Sequence, residues 1–441
     1  MGLKYIEPVK SIILLLLVAL SVTFTFSIWT YTPRYDMAEQ PLISDIPIAE
    51  KRTMDEVVKP YKMVFNFEEG LRGTSAPEDI NYILNEMKKW KVSAFTLEDS
   101  NFGAEEMNSL LRRPNRLTLY FHGEVPFPVY DGVLNIEDSN VPGDSFDRLI
   151  VDWNQASNTM DLYFVSRTNN LLYSAKAKIG NYPNFNRSIL AWGMELGEYT
   201  EANPNHSTFI AVPTAPVEII QNTYLQREIE TTRFRDALFS GSNTVRSNQI
   251  GATHEEFGDD HAKMSVDTEN KMLEYYIPAV ESHELAIPSE LLLNTIDFVN
   301  EHGGWTDDFR YMAMSPKERH VKFQLFVQGL PVFSDKSGLT EIEQIWGDKR
   351  VFRYVRPYYT LELLPLESTV ELPSGIDVAN KLKTSSNVDF DVIEEISLGY
   401  FMTHDKDRGF FTMEPSWFYL IKGSWHRYSP DGLGGAGLGL E

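Results

Sequence analysis

The chain has 441 residues, no cysteine, 63 Asp plus Glu, 40 Lys plus Arg and a net charge of −23. At ~150 residues per domain that length suggests two or three domains, and 42% apolar with 23% charged residues is a globular composition. The acidity argues against a nucleic-acid partner, whose phosphates need a basic surface. The missing cysteine excludes a disulfide framework, thiolate metal sites, a cysteine nucleophile and a lipidated N-terminal cysteine.

Residues 1–10 read as a cytoplasmic N-terminus. From Ser11 to Pro33 no residue is charged, and Ile12 to Leu20 is continuously apolar. As a helix this stretch is about 34 Å long, enough for a hydrocarbon core of about 30 Å. Trp29 and Tyr31 follow at the place of an interfacial aromatic anchor. Lys4 and Lys10 outweigh Glu7 on the short flank, which predicts a single pass of the lipid bilayer with the N-terminus inside. A cleaved signal peptide needs small residues after its apolar core; here Phe26, Ile28, Trp29 and Tyr31 are bulky. Ala19, Thr23 and Ser27 share one helix face, and Ser21 and Thr25 form the adjacent row. Such a small-residue surface suits close helix–helix packing. The alternative is that the hydroxyls bond carbonyls of their own helix.

Residues 34–59 read as a polar stalk punctuated by Pro41 and Pro47. An N-terminal α+β domain is expected over 60–200. Met63, Phe65 and Phe67 alternate as in a strand. Ser75 and Glu78 resemble a capping box opening a helix with Ile80, Ile83, Leu84 and Met87 on one face. Leu117, Leu119 and Phe121 alternate again, and runs at 148–153, 160–166 and 171–179 read as a meander.

After a loop at 201–206, a central α+β domain is expected over 201–306. It holds strands at 208–212 and 217–224 and a helix at about 230–239 carrying Phe234, Ala237 and Leu238. A hairpin at 261–277 turns at 267–270. A helix over 289–302 buries Leu292, Ile296 and Val299 and stops at Gly303.

A C-terminal α+β domain is expected over 307–430. Val321, Phe323, Leu325 and Val327 mark its first strand, with Phe352, Tyr354 and 358–364 continuing the sheet. A helix at 374–383 carries Ile376, Ala379 and Leu382, and strands follow at 396–402, 411–413 and 417–421. Residues 431–441 read as a flexible glycine-rich tail. The class is therefore α+β, with mainly antiparallel sheets, a few helices and similar strand–helix–strand order in the last two domains.

No constellation carries an enzyme assignment. The stretch from His254 to His261 gathers two histidines and four carboxylates, but the histidines lack the i, i+4 spacing of a metal-binding helix. A solvated acidic loop is the simpler reading. His404 to Gly409 falls short of a calcium loop and reads as a hairpin turn. Gly432, Gly434 and Gly437 match a dinucleotide fingerprint without its strand and helix. Ser282, His283 and Glu284 form no nucleophile elbow. No catalytic residue, cofactor or metal is expected.

The block Lys10-Ser-Ile-Ile-Leu14, the 18–21 segment and Ile28-Trp-Thr-Tyr-Thr-Pro33 resemble the N-terminus of the YycH family. Phe234-Arg-Asp-Ala-Leu-Phe239, Val245-Arg-Ser-Asn248, Glu395-Ile-Ser-Leu-Gly-Tyr400 and Pro415-Ser-Trp417 extend the resemblance over nearly the whole chain. It implies a single-pass membrane protein of Gram-positive bacteria with three exterior domains, the last two alike. It also implies action with an anchored YycI-like partner on the sensor histidine kinase YycG/WalK, which controls cell-wall metabolism. Contact through transmembrane helices is implied, with no catalytic residues to carry over; the glycine-rich tail is not a family feature. An unknown wall-derived ligand of the exterior domains is compatible with this reading. The competing expectations are a scaffold on a passive tether, and a wall hydrolase using His254, Asp259, Asp260 and His261.

Overall fold

The computed structural model describes residues 14–23, 25, 48–138, 141–154, 157–205, 208–239, 244–405 and 408–429. The chain divides into a short unit, 1–42, and a large unit, 43–441. In the short unit, residues 14–23 and 25 are helical and exposed. Among the described residues no helix is long and apolar enough to cross a membrane; much of the expected 11–33 span lies outside them.

The large unit opens with a nine-stranded sheet. Its strands are β1 (Lys62–Phe67), β2 (Gly70–Thr74), β3 (Lys91–Asp99), β4 (Arg116–Pro126), β5 (Ser145–Asp152), β6 (Thr159–Ser166), β7 (Leu171–Lys178), β8 (Gly197–Glu201) and β9 (Ala211–Pro213). Their spatial order is β3-β7-β6-β5-β4-β1-β2-β8-β9. The expected meander is β5 to β7, and β4 carries the Leu117/Leu119/Phe121 alternation before it. Both faces are covered, so β1 is buried almost continuously. Met63, Phe65, Leu117 and Leu149 face the main core. Val64, Tyr120 and Ile150 face a second cluster beneath the helix Ala104–Leu111.

The helix Pro77–Met87 buries Ile80, Ile83, Leu84 and Met87 as its periodicity requires. The expected capping box is absent. Ala76 is the N-cap, Pro77 fills the first turn, and the Thr74 hydroxyl accepts from Ala76 N–H and donates to Asp79.

The second sheet contains β10 (Val217–Glu228), β11 (Arg246–Ile250), β12 (His254–Gly258), β13 (Lys263–Asp267), β14 (Met272–Tyr276), β15 (Phe309–Ser315), β16 (His320–Val327), β17 (Leu330–Phe333), β18 (Glu341–Trp346), β19 (Val351–Pro357), β20 (Tyr359–Leu372), β21 (Ile393–Asp405), β22 (Phe410–Ile421) and β23 (Ser424–Arg427). The main path runs β11-β12-β13-β14-β19-β18-β16-β17-β21-β22-β10-β20, with β15 on β16 and β23 on β22.

Strand pairing crosses the boundary expected at 306/307. β14 pairs with β19, and β10 leaves its sequence neighbours to pair with β20 and β22. One strand–helix–strand set spans 246–357 around the helix Pro288–Glu301; the other joins β10 to β20–β23 around the helix Gly375–Thr384. The reason is burial: Leu292, Ile296 and Val299 share a core with Val321, Phe323 and Ile342 from beyond residue 306. Gly303, at φ +61°, closes the first helix as expected.

Two local expectations change. His254–Gly258 is strand β12, paired with β11 and β13, instead of a loop; only Phe257 in it is buried, so its sequence looks polar. The end of the expected stalk is folded, with Val57 and Val58 in the main core.

Candidate functional site

On the N-terminal helix the Thr23 hydroxyl donates to the Ala19 carbonyl at 2.8 Å, and the Thr25 hydroxyl donates to the Ser21 carbonyl at 2.9 Å. The two threonine protons are thus engaged within the helix, while Ala19 and the Ser21 row remain small. Ser27, Trp29 and Tyr31 lie outside the described residues.

Near the start of the large unit, residues 48–58 are bound across two parts of it. Ile48 N–H donates to the His302 carbonyl at 3.4 Å. Asn300 pairs with the backbone of Arg52 from both sides of its amide: Arg52 N–H donates to Oδ1 at 2.8 Å, and Nδ2 donates to the Arg52 carbonyl at 3.0 Å. The Arg52 guanidinium meets Asp308 at 2.7 Å. Asp308 also accepts from Arg310, whose guanidinium lies over the Phe326 ring. Burial pushes the Asp308 carboxyl up, but Arg310 and Arg52 outweigh it and hold it below the usual range.

Farther along, Glu56 accepts from the N–H and hydroxyl of Thr53, and Asp55 pairs with Lys88 at 2.6 Å. A cleft of about 490 Å³ is lined by Ile48 and Ala49 of this segment together with Arg227, Glu230, Arg233 and Thr306 among others.

A buried polar seam joins the two sheets. Lys62 of β1 and Glu395 of β21 pair at 2.7 Å, each side chain 3% exposed. The Tyr61 hydroxyl donates to the same carboxylate at 2.7 Å. Lys62 Nζ and the Arg148 guanidinium each lie 4.6 Å from the Tyr120 ring centre. Burial raises the Glu395 carboxyl, but Lys62 and Arg148 more than reverse it.

His122 stacks on Tyr61 at 4.0 Å and meets Phe326 and Trp425 edge-on. Burial, then Arg148, Arg310 and Lys62, push its imidazole down to about 3. It is neutral at physiological pH, and neither ring nitrogen has a hydrogen-bond partner among the described residues. Burial, reinforced by Asp147, raises the nearby Glu124 carboxyl to about 7. The alternating pattern missed this seam because Lys62 and Glu395 are 333 residues apart. The available signal was a lone lysine inside an apolar strand.

The predicted chemistry-bearing stretches do not converge. Asp259 accepts from the backbone of His261 and Ala262 and thereby shapes the β12–β13 turn. The His254 ring contacts Thr253. Asp405 accepts from Arg408 and Gly409 in the expected β21–β22 turn. Among the described residues no group of three or more His, Asp or Glu side chains is arranged to hold a metal ion. The larger surface cavity, about 740 Å³, is an open mixed-charge saddle lined by Glu98, Glu105, Arg113, Asp161, Tyr163 and Lys176 among others. The glycine fingerprint at 432–437 lies outside the described residues.

Residues 7–189 match the family model of the YycH protein N-terminal domain, and residues 207–431 match that of the C-terminal domain. The chain belongs to the YycH family. It is similar, at 21% identity over 437 residues, to the two-component system WalR/WalK regulatory protein YycH of Bacillus subtilis (strain 168), with 95% of each chain covered. The crystal structure of YycH from Bacillus subtilis matches with a TM-score of 0.72 at 19% identity, covering 87% of this chain and 99% of that one. At that identity the likeness establishes a shared fold. The YycH family match begins at residue 7, ahead of the apolar stretch.

Proposed function

We propose that the chain is an accessory, non-catalytic regulator of a WalR/WalK-type two-component system. Its support is similarity over 95% of the chain to a protein named for that regulation, with a family match that takes in the apolar N-terminal stretch. In this reading residues 11–33 cross the cell membrane once, the N-terminus is cytoplasmic and the acidic body faces outward. The Ala19/Thr23/Ser27 face, with Ser21 and Thr25 beside it, packs against helices of the sensor kinase YycG/WalK and a YycI-like anchored partner. Such contacts bias a two-state kinase only if they are stronger in one state than the other.

The test is co-purification from native membranes after mild cross-linking, together with kinase output in cells. Ala19→Leu with Ser27→Leu is expected to lower capture and to shift kinase output toward that of cells lacking the protein, because leucine holds the helices apart. So is replacement of residues 12–30 by an unrelated membrane helix. Wild-type capture and output from either variant would sink the helix-contact reading. The engaged hydroxyls of Thr23 and Thr25 favour one second reading, an exterior scaffold on a passive tether. In that case the unrelated helix restores full function.

A further inference from the structure

We infer that the bulges of β4 and β15 form a proton-operated joint between the two sheets, closed while the Glu124 carboxyl is protonated and loosened when it ionises. The inference concerns the large unit alone and holds whatever the role of the N-terminal helix.

The joint is built from two irregularities. In β4, Tyr120 pairs with Arg148 and Val125 with Phe146, so residues 121–124 stand opposite Asp147 alone. In β15, Tyr311 pairs with Phe323 and Ala313 with Lys322, which leaves Met312 as an extra residue. Bulges bend a strand and re-aim its side chains. Here each bulge meets the other. A Cβ added to Gly123 would lie 2.7 Å from the Met312 carbonyl, and the Tyr311 hydroxyl donates to the Glu124 carbonyl at 2.6 Å. Among the described residues β4 and β15 share no strand ladder, so they can part without breaking one.

The polar groups enclosed here are incompletely paired. The Tyr120 hydroxyl, both His122 nitrogens and Glu124 Oε2 are out of solvent and have no hydrogen-bond partner among the described residues. Glu124 Oε1 accepts from the Ser166 hydroxyl at 2.9 Å and from Thr168 N–H at 3.2 Å. A carboxylate with one oxygen so enclosed is costly. From β5, Asp147 adds a like charge, which Arg148 and Arg167 hold between them. From β15, Tyr311 reaches the backbone of Glu124, and the Arg310 guanidinium is engaged by Asp308 and the Phe326 ring. Burial and then Asp147 raise the Glu124 carboxyl to about 7, against the Ser166 and Thr168 bonds. His122, pushed down to about 3, is neutral from pH 5 to pH 8, and Glu395, held below the usual range, is ionised. The change of charge in that interval therefore falls on Glu124. Water relieves the ionised form only when the bulges part. The Lys62–Glu395 pair holds the sheets together beside them and acts as the pivot.

The chain has no cysteine, so one introduced thiol reports the opening. Met312→Cys, at a position 6% exposed, is labelled with iodoacetamide in the full chain in lipid nanodiscs at pH 5 and pH 8, each rate divided by that of a free cysteine peptide. With the carboxyl at 4.5 in the open joint and about 7 in the closed one, the opening constant rises by up to about 70-fold between these pH values. A rise of at least tenfold is expected. Adding Glu124→Gln should bring the two rates within twofold of each other, at the slower value. Leu149→Cys, at a position 0% exposed in the main core, should label at least tenfold more slowly than Met312→Cys at pH 8, because the opening is local. Equal Met312→Cys rates at the two pH values would overturn the inference. So would an undiminished pH dependence with Glu124→Gln, or equal labelling of the two thiol variants, which would mean global unfolding. If Met312→Cys folds poorly, hydrogen exchange of segments 121–126 and 309–313 makes the same comparison with and without Glu124→Gln, and its pH dependence decides in the same way.

Discussion

Lys62 carries its charge in the middle of the protein, and its replacement tests whether the seam between the sheets is held by ionic pairing. Lys62→Met preserves the side-chain length and its apolar contact with Tyr120, but leaves the Glu395 carboxylate with only the Tyr61 hydroxyl as a direct side-chain donor. Both partners are 3% exposed, so water cannot make up the loss. Stranding one member of a buried pair costs about 3–5 kcal/mol. The double variant Lys62→Met/Glu395→Leu removes the stranded charge as well and is expected to recover most of that loss.

Urea unfolding of the full chain in nanodiscs, followed by tryptophan fluorescence, measures both. The pH dependence adds a second constraint. Because Lys62 and Arg148 hold Glu395 below the usual carboxylate range against its burial, its ionic contribution is present above about pH 4.5 and is lost as pH falls through the folded value. The Lys62→Met penalty should therefore be largest near neutrality and shrink toward pH 4, where protonation of Glu395 removes the stranded charge. Single variants within 1 kcal/mol of wild type, or a double variant as unstable as the sum of the singles, would refute this account.

Glu124 should show the opposite pH trend. Its carboxyl is raised to about 7 by burial and then by Asp147, so the folded state holds a proton that the unfolded state releases. Stability then falls as pH rises from about 4.5 to about 7, by about 3 kcal/mol at most. Glu124→Gln should flatten that slope in a thermal-midpoint titration, and an unchanged slope would exclude Glu124 as its source. Gly123→Ala should destabilise by about 1–3 kcal/mol, because its Cβ would lie 2.7 Å from the Met312 carbonyl where β4 meets β15; a neutral urea midpoint would show that this contact yields. Thr23→Val with Thr25→Val should leave kinase capture within about twofold, since both hydroxyls bond their own helix. A tenfold loss would show that the hydroxyls bond across helices.

Most regular elements were legible from local pattern. The helix expected over 289–302 is Pro288–Glu301, the 374–383 helix is Gly375–Thr384, and the 267–270 turn joins β13 to β14 in the register its hairpin demands. Elements with weak periodicity escaped. β3 is mostly exposed, β11 is exposed throughout, and the helix Ala104–Leu111 is only two turns long. The acidic stretch on β12 resembled a loop because only Phe257 of that strand is buried, so its alternation is hidden.

The sequence by itself determined the α+β class, the antiparallel character, the apolar N-terminal stretch and the family, because each is written in periodicity, composition or adjacent residues. Only the tertiary structure decided that β10 pairs with β20 across the middle of the chain, that Lys62 meets Glu395, and that the end of the stalk docks on Asn300 and Asp308. Those contacts join residues 131 to 333 positions apart along the chain, and local propensity carries no information about which distant surface will complete a half-covered core. The choice is made when apolar faces find cover and the polar groups trapped between them must find partners.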